Sequence, residues 1–200
     1  MLSLATTSLL LVATTFQWVD APVSSPDAGV FWADPPSFSE LIPSERPAVQ
    51  VGLPEQLRIP SIDVDAEVEH VGLAADGSMG VPEDPDRVAW FQLGPRPGQP
   101  GNAAIAGHVD WAGRVRAFWW LSYLDVGDTI EVVTEEGAKY QFAVQWSRWY
   151  QAEGAPVEEV FGGSEVPDIT LITCGGAFDR QTRQYLSRLV VRAALQPGNP

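Results

Sequence analysis

The chain has 200 residues and is 45% apolar, enough for one folded domain with an appendage. Its formal charge is −14 at pH 7 and Lys139 is its single lysine. This excludes a nucleic-acid binder that works by releasing counterions, and docking on anionic lipid by charge alone. Cys174 is the only cysteine, so no intramolecular disulfide forms; in an exported chain a leftover cysteine points to a reactive thiol or an intermolecular bond.

Residues 1–19 read as a signal peptide or signal anchor. Leu2 to Val19 carries no charge, and its apolar centre runs Leu9-Leu10-Leu11-Val12-Ala13. At roughly 1.5 Å per residue the stretch sits near the lower limit for spanning a bilayer. Trp18 stands where an interfacial anchor belongs. A basic n-region is missing, which suggests a start further upstream. No convincing cleavage site follows, so an uncleaved anchor is preferred over a disordered or packed tail. Residues 20–56 read as a Pro-rich linker in which acids outnumber bases six to one, extended and self-repelling. Phe31, Trp32, Phe38, Leu41 and Ile42 are unusual in a spacer and suggest that part of it packs on the domain. Anchor, spacer and domain together suggest a protein held at the cell membrane, with the domain on the extracellular side.

Residues 57–196 carry the pattern of a folded domain, followed by a short tail at 197–200. Ile62, Val64, Ala66 and Val68 alternate with acids, the mark of a half-buried strand. Val88 to Leu93 reads as a strand, Pro95 to Gly101 as a loop, and Ala103 to Ala106 as a small apolar strand leading into Gly107-His108. Val115 to Leu124 approximates the helical period and predicts a helix. Strands follow at Thr129 to Thr134 and Tyr140 to Trp149, then at Ile169 to Thr173, ending at Cys174. Leu189 to Leu195 is the last strand. The aromatics Trp119, Trp120, Trp146, Trp149 and Tyr150 read mostly as core. Seven or eight short strands with one or two short helices predict a mainly β chain, folded as an antiparallel barrel or sandwich.

Three residues carry candidate chemistry: His108 after a small strand, Cys174 at a strand end, and Arg188 just before the final strand. A nucleophilic thiol needs a proton partner and a group to hold the developing oxyanion. An unperturbed thiol titrates at about 8.5, and a neighbouring cation lowers that value. Histidine is the natural acid for a leaving amine, and arginine stays protonated and offers a planar fork of donors. Each residue also has a plain structural reading, and chain position alone does not bring them together. Arg180, Arg183 and Arg192 are alternatives to Arg188, which is preferred for its place at a strand entry. His70 reads as exposed structure. Asp110 either orients His108 or faces solvent.

Thr170-Leu-Ile-Thr-Cys174 resembles the TLxTC signature of sortases, and Gly107-His108-Val109-Asp110 resembles that family's histidine segment. Cys174-Gly175-Gly176 with Phe178 and Asp179 is similar to class F sortases. Leu57-Arg-Ile-Pro60, Ile62-Asp-Val64, Val71-Gly-Leu73 and Pro97-Gly98 fit as well, so the similarity spans about Leu57 to Leu195. The resemblance implies a closed eight-stranded sortase-type β-barrel and a cysteine transpeptidase with His108, Cys174 and Arg188 as catalytic groups. Thr173, Trp149 and Tyr150 are further candidates for substrate contact. The implied partners are proteins with a C-terminal LPxTG-like sorting signal and a peptidoglycan precursor amine, with the membrane reached through the N-terminal segment. No cofactor and no metal is expected. The rival readings are an exported cysteine peptidase that hydrolyses without transfer and an exported, non-catalytic binding barrel.

Overall fold

The computed structural model describes residues 50–198. The expected anchor and most of the expected linker lie outside the described residues. Ten strands carry the fold: β1 (Pro54–Ile59), β2 (Val64–Val71), β3 (Val88–Phe91), β4 (Gly101–Gly107), β5 (Asp110–Trp111), β6 (Arg114–Val115), β7 (Thr129–Thr134), β8 (Lys139–Gln151), β9 (Pro167–Asp179) and β10 (Gln184–Leu195). One short helix, α1 (Val157–Phe161), lies between β8 and β9. Eight strands close into a barrel in the order β1-β2-β3-β4-β9-β10-β8-β7, and β5 with β6 forms a separate hairpin.

The period-2 pattern seen in the sequence decides which side chains fill the barrel. Val64, Ala66 and Val68 of β2, Ala103 and Ile105 of β4, and Ile169 and Leu171 of β9 join Leu189, Val191 and Ala193 of β10 in one buried cluster. Phe118, Leu121, Ile130 and Phe142 belong to it too. Burying each such large side chain is worth about 1.5–3 kcal/mol. The strand β1 begins at Pro54, and Val51 already belongs to the core.

The expected mainly β, closed barrel of about eight strands is what the chain forms, with one correction. The barrel is not antiparallel throughout: β2 pairs with β3, and β4 with β9, in parallel. Alternation of apolar residues reports the buried face of a strand and not its direction, and long connections let the chain return to the same end of the barrel.

The helix expected over Val115 to Leu124 is absent. Val115 pairs with Asp110 in the β5–β6 hairpin, whose turn holds Ala112 and Gly113 at positive φ. After it the backbone makes hydrogen bonds of the i to i+3 kind, Trp119 to Arg116, Leu121 to Phe118 and Leu124 to Leu121, around a 3-10 turn at Leu121–Tyr123. Aromatic and β-branched residues are poor helix formers, and the tighter turn buries Phe118 and Leu121 three apart. Gly107 must lack a side chain, because a Cβ there would meet the Phe118 ring at 2.6 Å.

Two strand limits also differ. β9 does not end at Cys174 but runs on to Asp179, and β10 begins at Gln184, so Arg188 lies inside its strand. Gly176 takes φ +76 beside a register shift, and pairing resumes at Phe178↔Tyr185.

Phe118→Ala is expected to cost about 3–5 kcal/mol, the usual range for truncating a fully buried phenylalanine. Urea unfolding followed by tryptophan fluorescence measures this; an unmoved midpoint contradicts the packing described.

Candidate active site

The catalytic candidates are gathered by strand register. β10 pairs with β9 so that Arg188 stands opposite Cys174. β4 pairs with β9 in parallel up to Ala106↔Ile172, and carrying that register two residues further brings His108 level with Cys174. Cys174 and Arg188 therefore stand side by side on β9 and β10, about 4.8 Å apart, and His108, one residue past the end of β4, continues the line on the other side of Cys174. All three point away from the core, because Ile105, Leu171 and Leu189, of opposite parity on β4, β9 and β10, point into it.

Two hydrogen bonds hold the register. Thr173 Oγ1 donates to the Gly107 carbonyl at 2.8 Å from inside the barrel. On the outer face Thr170 Oγ1 donates to Asn102 Oδ1 at 2.7 Å. Asn102 Nδ2 in turn donates to the Val160 carbonyl at 2.9 Å, which fastens α1 over the outer face. Arg192 Nη2 donates to the Glu159 carbonyl at 2.7 Å, and Arg148 pairs with the Glu159 carboxylate.

A cavity of about 770 Å³ opens under α1 on this face. Its floor is Ala104, Ala106, Ile172 and Val190, its walls include Phe91, Val157 and Phe161, and His108, Cys174 and Arg188 all line it. A second cavity, of about 560 Å³, reaches Cys174 from the other side and is lined by Phe118, Trp119, Trp120, Tyr123, Trp149 and Tyr185. Two features let it form. Gly175 has no side chain, and a Cβ there would meet the Trp149 indole at 2.5 Å. The 3-10 turn cannot bury Trp119 and Trp120 together with Phe118 and Leu121. Trp119, Trp120 and Trp149 are consequently 38%, 49% and 53% exposed, and are not core.

His108 Nε2 lies 3.2 Å from the Pro82 carbonyl, an acceptor only, so Nε2 carries the proton and Nδ1 is left as the acceptor. Trp111 stacks against the imidazole, with ring centroids 5.0 Å apart. Arg188 Nη1 donates to the Tyr185 and Ser187 carbonyls at 2.9 and 3.0 Å, and among the described residues no carboxylate pairs with it. Its charge is therefore free to act on the thiol. Burial pushes the Cys174 thiol up, Arg188 draws it down, and Asp110 pushes it up. Asp110 also acts on Tyr185, whose hydroxyl is raised first by burial and then by that carboxylate.

The other candidates fall into place around this row. Thr173 borders both cavities, but its hydroxyl is spent on Gly107. Trp149 lines the aromatic cavity. Tyr150 continues the row opposite Arg188, but it lines neither cavity and sits with Arg148 and Glu159. Arg192 is taken by Asp168 and Glu159, and Arg180 and Arg183 are exposed in the connection from β9 to β10. His70 is exposed as expected; it lies within β2, bonded to the Pro54 carbonyl. Asp110 neither bonds His108 nor stands free, being near Cys174 and Tyr185 instead. The part played by Tyr185 and by the cavity of Trp119, Trp120 and Tyr123 had no signal in the sequence beyond an aromatic run. Among the described residues no three His, Cys, Asp or Glu side chains are grouped to hold a metal, and no helix is long and apolar enough to cross a membrane.

The Sortase domain family matches residues 57–196, the part of the chain that builds the barrel and carries the row. The chain belongs to the sortase family. Solved sortases share its fold. Sortase A of Listeria monocytogenes is 20% identical, with a TM-score of 0.55 over 73% of this chain and 88% of its own. Sortase C1 of Streptococcus agalactiae is 20% identical, with a TM-score of 0.57 over 72% of this chain and 68% of its own. A Clostridium perfringens protein described as a sortase D5 transpeptidase is 21% identical, with a TM-score of 0.53 over 72% of this chain and 79% of its own. No curated protein matches in sequence.

The opposed effects on Cys174 set an expected pH response. The rate of thiol alkylation should rise through a midpoint above that of an ordinary thiol. Arg188→Met should move the midpoint higher, because the cation that favours thiolate is gone. Asp110→Asn should move it lower, because the opposing anion is gone. Iodoacetamide labelling across pH measures all three; a shift of either variant in the other direction contradicts the placement of these charges.

Proposed function

We propose that this chain is a class F-type sortase, a cysteine transpeptidase that cleaves an LPxTG-like sorting signal between Thr and Gly. It would then transfer the carboxyl side of the cut to a cell-wall amine. The observation that carries this reading is that His108, just past β4, and the cross-strand pair Cys174 and Arg188 of β9 and β10 line one apolar cavity together. The apolar floor and walls suit the Leu and Pro of the signal, and Trp149 borders the space beyond the sulfur.

In this reading the Cys174 thiol gives its proton to His108 Nδ1, and the thiolate attacks the Thr carbonyl carbon. Arg188 donates hydrogen bonds to the oxygen as it becomes negative, in a site where water is partly excluded. The C–N bond breaks, and His108, protonated at Nδ1, gives that proton to the departing nitrogen. A thioacyl enzyme and a neutral imidazole remain. An incoming neutral amine then attacks, His108 takes its proton, and the C–S bond breaks to return the thiolate. Residues 1–19 would anchor the protein in the membrane and residues 20–56 would hold the domain off its extracellular face.

Incubating the protein with an LPxTG peptide should give a thioacyl adduct on Cys174, absent in Cys174→Ala. Adding diglycine should divert product from the free acid to the diglycine amide. Hydrolysis that diglycine does not divert favours the peptidase reading, and no adduct with any LPxTG-like peptide favours the binding barrel. Arg188→Ala should lower kcat/KM roughly 10²–10³-fold, the usual loss on removing one oxyanion donor.

A further inference from the structure

Cys174 lines both cavities, and the sorting signal needs only the apolar one for its acyl side. In acyl transfer the acyl chain and the nitrogen lie on different sides of the attacked carbon. With the acyl chain under α1, the nitrogen that leaves and the nitrogen that enters lie toward the aromatic cavity. Its aromatic groups are already clustered: Trp120 packs edge-on against Trp119 and Tyr123, at centroid distances of 6.2 and 5.2 Å. No lysine or arginine lines it.

Asp110 stands beside this cavity. Its neighbour Val109 lines the cavity, and its other neighbour, Trp111, stacks on His108. Among the described residues no lysine or arginine forms an ion pair with it. A carboxylate near a thiol that must ionise opposes the first half of the reaction: Cys174 is raised first by burial, and Asp110 adds to that. The second half brings in an amine, which in water at neutral pH is an ammonium ion. A carboxylate and several aromatic faces are the chemistry that holds such a cation.

We propose that the aromatic cavity and the Asp110 carboxylate form the acceptor subsite, which selects a cationic primary amine. The inference rests on the transpeptidase reading. The ammonium binds between Asp110 and the rings and loses one proton to solvent. Its nitrogen forms the new C–N bond, its next proton passes to His108 Nδ1, and the C–S bond breaks to leave the thiolate.

The test uses the full chain with an LPxTG peptide as donor, and lets glycinamide and hydroxylamine compete for the thioacyl enzyme. Glycinamide is largely cationic near neutral pH and hydroxylamine is uncharged. Asp110→Asn should lower the ratio of glycinamide to hydroxylamine product roughly tenfold, the scale of one hydrogen bond to a charged group. Asp110→Glu should restore much of it, and Trp120→Ala should lower it in the same direction. A ratio that Asp110→Asn leaves unchanged overturns the inference. If Asp110→Asn does not acylate, Trp120→Ala decides, a fall supporting the subsite and no change overturning it. If the unsubstituted protein gives neither product, the transpeptidase reading itself has failed.

Discussion

The parallel pairing of β4 with β9 is the constraint on which the candidate site depends. Each reactive group lies on, or just past, a different strand, and only the relative register of those strands brings the groups level. A slip of one residue would turn Cys174 into the barrel and Thr173 out of it. The chain resists that slip on both faces at once. Inside, Thr173 bonds the Gly107 carbonyl, and outside, Thr170 bonds Asn102. Both bonds are buried, so breaking either would strand polar atoms at a cost of about 1–3 kcal/mol each. Thr173 and Gly107, which fix the register, are thus the immediate neighbours of the candidate reactive groups Cys174 and His108.

This placement also sets the electrostatics. Cys174 is half-buried, which disfavours the thiolate, and Arg188 works against that burial from the adjacent strand. The guanidinium can do so because carbonyls of its own strand hold it and no acid claims its charge among the described residues. Arg192, on the same face of β10, differs in this respect: Asp168 and Glu159 take its Nη donors and Trp146 takes its flat side. Two arginines of one strand and one parity are thereby divided, one left with a free charge and the other fastening α1. A thiol held above its ordinary range is a scarcer nucleophile, but a more reactive one when ionised, because nucleophilicity grows with basicity.

Much of this was legible in the sequence because a strand writes its two faces in alternation. The core residues of β2 were named from their alternation with acids, and the order of His108, Cys174 and Arg188 agreed with a sortase pattern. Strand direction left no trace, so the two parallel pairings came only with the fold. The expected helix failed because Phe118 and Leu121 satisfy helical spacing and three-residue spacing alike. The choice was made by Val115, which the hairpin partner Asp110 claimed. Asp110 itself was ambiguous because its role depends on Tyr185, seventy-five residues away and brought near by the barrel. The exposed tryptophans were misread for a related reason: an aromatic run reports affinity for apolar surroundings, whether those are core or cavity wall.

The two-sided approach to the sulfur has its own local cause. Beyond Cys174 the next two residues of β9 are glycines, and both are needed for contact reasons. A side chain at Gly175 would strike the Trp149 indole, and one at Gly176 would strike Ser187 in a backbone conformation that other residues rarely adopt. Without side chains there, the strand lets Trp149 lie against its backbone while Cys174 keeps its outward direction. One cavity is therefore walled by α1 and the outer faces of β4, β9 and β10, and the other by aromatic groups at the edge of the barrel. A single residue, Cys174, borders both. This geometry suits the transfer proposed above better than a deep pocket would, because a thioacyl intermediate enclosed on all sides could not be reached by an amine.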